Sequence, residues 1–186
     1  MSERREPVFY LNELKQRILE LDYRRRIYET VKKYAGAHYR EIERKSGLPT
    51  GTVRYHLDYL VTYDLLREER EGNNLRYFPK EFKTENVRLL GFLRQESARK
   101  IILHVLAHKD CTHEEISQAI NLSPSTTTWH LKKLEENGIV AGTKKGRIKN
   151  YALTVKDQDV MKLLITYKES FLDILVDRVI DMWENQ

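Results

Sequence analysis

Apolar residues stand three or four positions apart in two separate stretches of the chain, residues 24–35 and 98–109. This spacing places them on one face of an α-helix, so each stretch is predicted to form a first helix. A short second helix is predicted after each one, at residues 39–45 and 114–119. Both short helices end close to a glycine or an asparagine, which suits a left-handed helix terminus and a tight turn.

A third helix and a hairpin are predicted to complete each stretch. The third helix begins near Pro49 in the first stretch. In the second it begins at Ser123 and Pro124, a good N-cap followed by a good first helical residue. Short apolar strands follow, and polar turns centred on Gly72 and Gly146 reverse the chain. Each third helix is therefore predicted to lead into a two-stranded wing.

The two stretches are copies of each other. Residues 24–78 align with residues 98–152 without a gap, at a constant spacing of 74 positions, the difference between 98 and 24. The first copy has Ile27, Val31, Glu41, Ile42, Leu48, Thr52, His56, Leu57, Leu60, Gly72 and Tyr77 where the second has Ile101, Val105, Glu115, Ile116, Leu122, Thr126, His130, Leu131, Leu134, Gly146 and Tyr151. The matched positions are mainly apolar and turn positions, whereas the polar ones differ, as expected of two domains that share a core but not a ligand surface.

A helix, a helix-turn-helix and a hairpin in this order form the winged-helix architecture. The predicted fold class is mainly α with small β-wings, an α+β fold, with two tandem winged-helix domains and flanking N- and C-terminal helices. The predicted boundaries are an N-terminal helix at 1–23, a first winged-helix domain at 24–78, a linker helix at 79–97, a second winged-helix domain at 98–155, and a C-terminal helix at 156–186.

The formal net charge of +5 is concentrated in the two copies. Each copy has four more basic than acidic residues, whereas residues 1–23 have a net charge of −1 and residues 153–186 a net charge of −3. This distribution favours a polyanionic partner such as nucleic acid.

Other features narrow the class of protein. With Cys111 as its one cysteine the chain has no internal disulfide or cysteine-rich zinc site, which suits a reducing cytoplasm. No apolar stretch approaches the roughly 18 residues of a membrane span. We find no glycine-rich phosphate loop, HExxH motif or nucleophile constellation, so we expect no enzyme activity and no cofactor.

Residues 41–57 (EIERKSGLPTGTVRYHL) and 115–131 (EISQAINLSPSTTTWHL), with their continuations at 58–66 and 132–140, resemble the helix-turn-helix of ArsR/MarR-type regulators. Two such domains in one chain are similar to the tandem winged-helix transcriptional regulators common in archaea. The resemblance implies a cytoplasmic regulator that binds specific sequences in double-stranded DNA and forms a homodimer. The alternative is a tandem winged-helix scaffold or adaptor subunit of a protein complex, because winged helices also serve as interaction modules.

In this family the third helix enters the major groove with its N-terminal half. The resemblance therefore implies DNA contacts on the third helices at Thr50, Thr52, Arg54 and Tyr55, and at Ser125, Thr128, Trp129 and Lys132. Arg54 is suited to reading a guanine edge. An alternative for the aromatic rings of Tyr55 and Trp129 is packing against their own wings.

The wings differ in charge. The first wing, residues 67–76, has balanced charge and contributes Arg70 and Arg76 as candidate contacts. The second wing, residues 141–150, has a net charge of +4 from Lys144, Lys145, Arg147 and Lys149. These residues are suited to neutralising phosphates. We therefore expect the second copy to supply affinity for the DNA backbone and the first copy to supply selectivity.

Two further patterns bear on function. His104, His108, Cys111 and His113 form a candidate metal site, but chance clustering near a helix end is the favoured interpretation and no metal is predicted. The C-terminal helix has an apolar stripe that includes Phe171 and Leu175. It either packs on the N-terminal helix or forms a dimer contact, and the dimer is the favoured interpretation. No separate sensor domain is present, so the sequence names no small-molecule effector.

Overall fold

The computed structural model describes residues 17–71 and 74–171. The chain forms two compact units, the first ending at Phe82 and the second beginning at Lys83.

The described part of the first unit contains three complete helices and a small antiparallel sheet. Its elements are α1 (Asp22–Lys33), β1 (Ala37–His38), α2 (Tyr39–Ser46), α3 (Thr50–Thr62), β2 (Leu66–Glu71) and β3 (Asn74–Pro79). The strand order is β1-β3-β2, with Ala37 opposite Tyr77 and Leu66 opposite Pro79. The apolar stripe of α1 and that of α3 pack together over the sheet, and Ile27, Val31 and Leu57 are fully buried between them.

The second unit repeats this arrangement and adds a helix at each end. Its elements are α4 (Thr84–Leu93), α5 (Glu96–Ala107), β4 (Cys111–Thr112), α6 (His113–Ile120), α7 (Pro124–Glu136), β5 (Val140–Lys145), β6 (Ile148–Leu153) and α8 (Asp157–Thr166). The strand order is β4-β6-β5, with Cys111 opposite Tyr151 and Val140 opposite Leu153. The mainly α fold with small β-wings is confirmed.

Every shared element recurs 74 residues later, from α1 at Asp22 and α5 at Glu96 to β3 at Asn74 and β6 at Ile148. The left-handed backbone positions obey the same spacing. Positive φ angles occur at the pairs Gly36 and Asp110, Gly47 and Asn121, and Asp64 and Gly138. In the first two pairs the glycine belongs to the first copy, and in the third pair it belongs to the second copy. The two copies therefore share backbone turns as well as a core pattern.

The apolar spacing predicts one linker helix at residues 79–97, and the structure shows that this prediction is wrong. It contains the end of β3, all of α4 and the first residues of α5, with a break at Arg94 and Gln95. The break separates two helices of the second unit, in which α4 packs against both α5 and α8. The buried residues Leu90 and Leu93 of α4 thus belong to a core rather than to an exposed connector.

The described part of the predicted C-terminal helix packs within its own unit. Its first part, α8, packs on α4 and buries Val160 and Leu163. Phe171 is 8% exposed, and the guanidinium carbon of Arg99 lies 5.5 Å from its ring. The assignment of Phe171 to a dimer contact is therefore wrong, because its ring is buried in its own unit. Leu175 and most of the predicted N-terminal helix lie outside the described residues.

Candidate nucleic-acid interface

The third helix of each copy buries one face and exposes the other. In the first copy, α3 buries Val53, Leu57 and Leu60, and in the second, α7 buries Thr127, Leu131 and Leu134. The outward faces expose most of the predicted contact residues: Thr50, Arg54 and Tyr55 on α3, and Ser125, Thr128, Trp129 and Lys132 on α7. Thr52 is the exception, because it is half-buried. The helical spacing that buries the leucines thus leaves seven candidate contacts exposed.

The second helix holds the N-terminal end of the third helix in each copy. In the first copy, the Tyr39 hydroxyl donates to the Thr50 carbonyl at 2.7 Å, and the Thr50 hydroxyl donates to the Glu43 carboxylate. In the second copy, His113 Nε2 lies 2.9 Å from Thr128 Oγ1. Tyr39 and His113 are equivalent residues, so one position couples the two helices of each helix-turn-helix by different chemistry.

Arg54 extends from α3 beside Tyr39. Its guanidinium carbon lies 5.7 Å from the centre of the Tyr39 ring, and the side chain is exposed. A guanidinium group near the face of an aromatic ring is attracted by the electron density of that ring. Arg54 is therefore oriented by its own domain while its hydrogen-bond donors remain near the surface.

A row of tyrosines continues from Tyr55 along α3. Tyr59 stacks on Tyr63 with ring centres 4.3 Å apart, and the guanidinium carbon of Arg24 lies 3.6 Å from the centre of the Tyr59 ring. Tyr55 is 61% exposed and its ring centre lies 6.5 Å from that of Tyr59. The i, i+4, i+8 spacing of the three tyrosines is visible in the sequence, but only Tyr55 was predicted to be a contact.

Trp129 occupies the equivalent position on α7. The residue is 53% exposed, and the ammonium group of Lys133 lies 4.2 Å from the centre of its ring. The rings of Tyr55 and Trp129 contact neighbours on their own helices, Tyr59 and His56 for the one and Lys133 and His130 for the other. Both aromatic side chains therefore remain on the surface that the third helix presents.

The two candidate arginines of the first wing have different environments. Arg70 is exposed on β2, whereas Arg76 on β3 is half-buried and donates to the Gly36 carbonyl at 2.9 Å. That bond ties the wing to the turn before β1. Arg76 thus contributes to the structure of its own domain, and Arg70 is the more accessible of the two charges.

The candidate cations of the second wing also fall into two groups. Lys144 and Arg147 are exposed near the hairpin turn, where Gly146 has a φ angle of 66°. Lys145 belongs to β5, but its side chain lies outside the described residues. Lys149 instead contacts the C-terminal part of α7, with its Nζ 2.7 Å from Glu135 Oε1. The hydrogen bond from Lys149 to Glu135 raises the pKa of the lysine.

Glu135 joins the third helix to both strands of the second wing. In addition to its contact with Lys149 on β6, its Oε1 accepts a hydrogen bond from the backbone N–H of Gly142 on β5 at 3.0 Å. A Cβ atom at position 142 would lie 2.0 Å from Lys149 Cε, so any larger residue there displaces the lysine. Lys149 was identified from its charge, but Glu135 and Gly142 were missed because their roles depend on tertiary contacts.

The four candidate metal residues have different environments. The His104 and His108 rings lie 4.6 Å apart, and burial followed by the charge of His108 lowers the pKa of His104. Cys111 is buried, and burial raises the pKa of its thiol. His113 contacts Thr128, as described above. Within residues 17–71 and 74–171, no group of three or more His, Cys, Asp or Glu side chains is arranged to hold a metal ion.

No helix in the described ranges is long and apolar enough to cross a membrane.

Family comparisons match both copies. A family described as an N-terminal HTH domain matches residues 21–90, and a family described as winged helix-turn-helix DNA-binding matches residues 94–141. The first match spans the first copy, and the second match spans the three helices of the second copy and ends at the start of its wing.

Curated relatives are regulators. The chain is 32% identical over 132 residues to an uncharacterized HTH-type transcriptional regulator of Methanocaldococcus jannaschii, a match that covers 70% of this chain and 33% of that protein. It is 31% identical over 94 residues to the cadmium resistance transcriptional regulatory protein CadC of Listeria innocua, covering 49% of this chain and 78% of that protein. The chain thus spans a third of the archaeal relative and most of CadC.

Among solved structures, Lactococcus lactis ZitR in complex with DNA matches 74% of this chain and 94% of its own, at 18% identity. The TM-score of 0.32 is too low to support an inference.

Proposed function

The chain belongs to the winged helix-turn-helix transcriptional regulators, and we propose that it binds double-stranded DNA through the third helix and the wing of each unit. One observation carries the proposal: in both copies the third helix buries its apolar face and exposes polar and aromatic residues. Each copy also has a net charge of +4, which suits contact with phosphates. A regulator of this kind works on the chromosome, so we place it in the cytoplasm.

We assign different tasks to the two reading heads, a term used here for a third helix together with its wing. Head one is α3, β2 and β3, and head two is α7, β5 and β6. Arg54 of head one has the donor geometry to bind guanine O6 and N7 together. Lys144 and Arg147 of head two are exposed cations on a wing rather than on a third helix, and they suit phosphates of any sequence. Head one thus supplies selectivity and head two supplies backbone affinity.

Salt-titrated binding tests the role of the second wing. Replacing Lys144 and Arg147 together with Ala is expected to weaken binding to random duplex and to flatten the dependence of log Kd on log salt by roughly one unit for each phosphate that is no longer neutralised. The matched control replaces Lys156 and Lys162, two exposed lysines of the same unit outside the wing, and changes the net charge equally. An equal effect of the two double variants would contradict a specific role for the wing.

Arg54→Ala tests the role of head one. Loss of a bidentate guanine contact is expected to cost about 1–3 kcal/mol on a selected site and little on random duplex. Arg88→Ala, at an exposed arginine on α4, removes the same charge elsewhere and serves as the control. If Arg54→Ala weakens both duplexes by the same factor, Arg54 contacts phosphate and the division of tasks is wrong.

A scaffold role is the weaker candidate. The family matches and the curated regulators favour DNA binding over protein-complex assembly and over catalysis. The binding assays above separate the two candidates, because a scaffold would show no salt-dependent affinity for duplex DNA.

We also propose that the chain forms a homodimer through the outer face of α8. Met161 and Ile165 lie one helical turn apart there and are 45% and 70% exposed, so the outer face of α8 presents a pair of large apolar side chains. Replacing both with Lys would bury unpaired charge in a dimer contact and is expected to yield a monomer in light scattering. Asp159→Asn with Thr166→Lys, at two exposed positions on another side of α8, changes the net charge equally and is the control. A monomeric wild type, or a dimer that persists in the Met161 and Ile165 variant, contradicts this contact.

A further inference from the structure

Hydroxyl groups dominate the N-terminal half of α7, and the second head commits most of their protons to its own hydrogen bonds. Thr128 Oγ1 donates to the Pro124 carbonyl at 2.8 Å and also lies 2.9 Å from His113 Nε2. A hydroxyl has one proton, so with that proton on Pro124 the imidazole must be the donor to Thr128. If Thr128 donated to His113 instead, its proton would still remain within the protein.

The N-cap of α7 is similarly occupied. Ser123 Oγ accepts from the backbone N–H of Thr126 at 3.2 Å and lies 2.9 Å from Ser125 Oγ and 2.8 Å from Thr126 Oγ1. With one proton and two lone pairs, Ser123 donates to one of these hydroxyls and accepts from the other. Of the four hydroxyl protons on Ser123, Ser125, Thr126 and Thr128, three are therefore used internally.

The first head presents a different surface at the matching positions. Arg54 is equivalent to Thr128, and Tyr39 is equivalent to His113. The carbonyl at the start of the third helix accepts a side-chain proton in both copies, from Tyr39 in the first and from Thr128 in the second. In the first copy Tyr39 satisfies that carbonyl, and Arg54 is exposed with its guanidinium beside the Tyr39 ring. The first head is thus rich in donors at this position, and the second head has none.

Thr128 also carries a methyl group. Its Oγ1 is held toward Pro124 and His113, so the methyl takes another tetrahedral direction from Cβ on a side chain that is exposed. Among base edges in the major groove, the 5-methyl group of thymine is the apolar partner, and the threonine methyl is suited to it.

From these contacts we infer that Thr128 determines specificity in the second head by packing its methyl group on a thymine methyl. The inference rests on the proposed DNA binding and names what the second head reads. It refines the division of tasks, because an apolar contact gives a modest preference for thymine beside the sequence-independent binding of the wing.

The test couples the removal of a methyl group from the protein to its removal from the DNA. Duplexes that bind the wild-type chain are first selected from a random library. Each thymine of the selected site is then replaced in turn by deoxyuridine, which lacks only the 5-methyl group. At one or more positions the replacement should weaken wild-type binding about fourfold, the value expected for one buried methyl-sized group.

Two variants distinguish the contribution of the Thr128 methyl group from that of its hydroxyl. Thr128→Ser keeps the hydroxyl and loses the methyl, so it should bind thymine and deoxyuridine equally at that position. Thr128→Val keeps the methyl and loses the hydroxyl, so it should retain the fourfold preference. Circular dichroism at the assay temperature checks that both variants are folded, and deoxyuridine at positions where Thr128→Ser has no effect serves as the DNA control.

The outcomes separate failure of the methyl contact from failure of DNA binding. If the wild type enriches no duplex and shows no salt-dependent binding, the proposed function fails. If it binds a selected site but Thr128→Val abolishes the preference there, or Thr128→Ser retains it, the hydroxyl or another residue reads the base. In that case the methyl contact is overturned while DNA binding stands.

Discussion

The ammonium group of Lys149 lies between the Glu135 carboxylate and the ring of Tyr151, whose centre is 4.9 Å away. Sequence reasoning grouped Lys149 with the other cations of the second wing, because charge and position along a hairpin are visible in a sequence. The partner Glu135 lies 14 residues earlier on another element. Its contact with the lysine becomes apparent only when the wing is placed against α7. The hydrogen bond of Arg76 was not predicted for the same reason, since its acceptor is the carbonyl of Gly36, 40 residues away.

We predict that Lys149→Met changes DNA binding less than Lys144→Met does. The charge of Lys149 is already compensated by Glu135, whereas Lys144 is exposed at the wing. Lys144→Met should flatten the salt dependence of random-duplex binding by about one unit, and Lys149→Met by clearly less. Both substitutions remove one charge and keep a long side chain, so each is the control for the other. Equal slopes would mean that Lys149 leaves Glu135 to contact phosphate.

At the scale of elements, the two copies begin equivalent helices with different caps. Thr112 forms a capping box at α6, accepting from the Glu115 N–H while the Glu115 carboxylate accepts from the Thr112 N–H at 2.7 Å. The equivalent cap of α2 is His38, whose Nδ1 accepts from the Glu41 N–H at 3.2 Å. Sequence signals for helix starts anticipated Ser123 and Pro124, but a histidine cap is not among them. The two-residue strands β1 and β4 were also missed, because two residues are too few to show alternation.

We predict that Thr112→Ala lowers the free energy of unfolding of the second unit by about 1 kcal/mol, because the first turn of α6 loses a side-chain acceptor and its reciprocal partner. Chemical denaturation of the full chain measures this change. Thr166→Ala, an exposed threonine at the end of α8, removes the same atoms without a cap. A loss no larger than that of the control would show that backbone or solvent contacts cap α6 without the threonine.

At the scale of the whole molecule, equivalent histidines with lowered pKa values are expected to make both units sensitive to acid. Burial and then the charge of Arg24 lower the pKa of His56, and burial and then the charge of Lys133 lower the pKa of His130. A histidine with a lowered pKa in the folded state binds a proton more readily when unfolded. Its unfavourable effect on folding is therefore absent well above pH 6.5 and grows as the pH falls below that value.

We predict that the thermal unfolding temperature of the chain falls between pH 7.5 and pH 5, and that His56→Gln and His130→Gln each reduce this pH dependence. The slope against pH is the readout, because either substitution also alters packing and hence stability at every pH. His113→Gln, which keeps a side-chain donor for Thr128, is the control. If neither variant differs from the control in slope, other groups cause the acid sensitivity.

The order of elements and the repeat were predictable because both depend on hydrophobic spacing and turn residues, which are local in the sequence. The break between α4 and α5 was not predictable, because the residues on both sides of Arg94 have helical spacing. The packing of α4 against α8 is a tertiary contact that this spacing does not show. The same limit applies to Phe171, whose apolar stripe indicates burial but does not name the surface that covers it.

The constant spacing of 74 residues has a consequence for the history of the chain. If the copies arose by duplication of one gene segment, substitutions have since changed most surface residues, while no insertion or deletion has been kept between α1 and β3 or their counterparts. Surface loops usually tolerate changes in length. Here the edge strand of each three-stranded sheet pairs through only two residues. A change in the length of the chain before or after that strand would therefore shift its pairing. The segments are therefore interchangeable in length, and residues 124–136 can be transplanted onto 50–62 to give a chain with two identical reading helices.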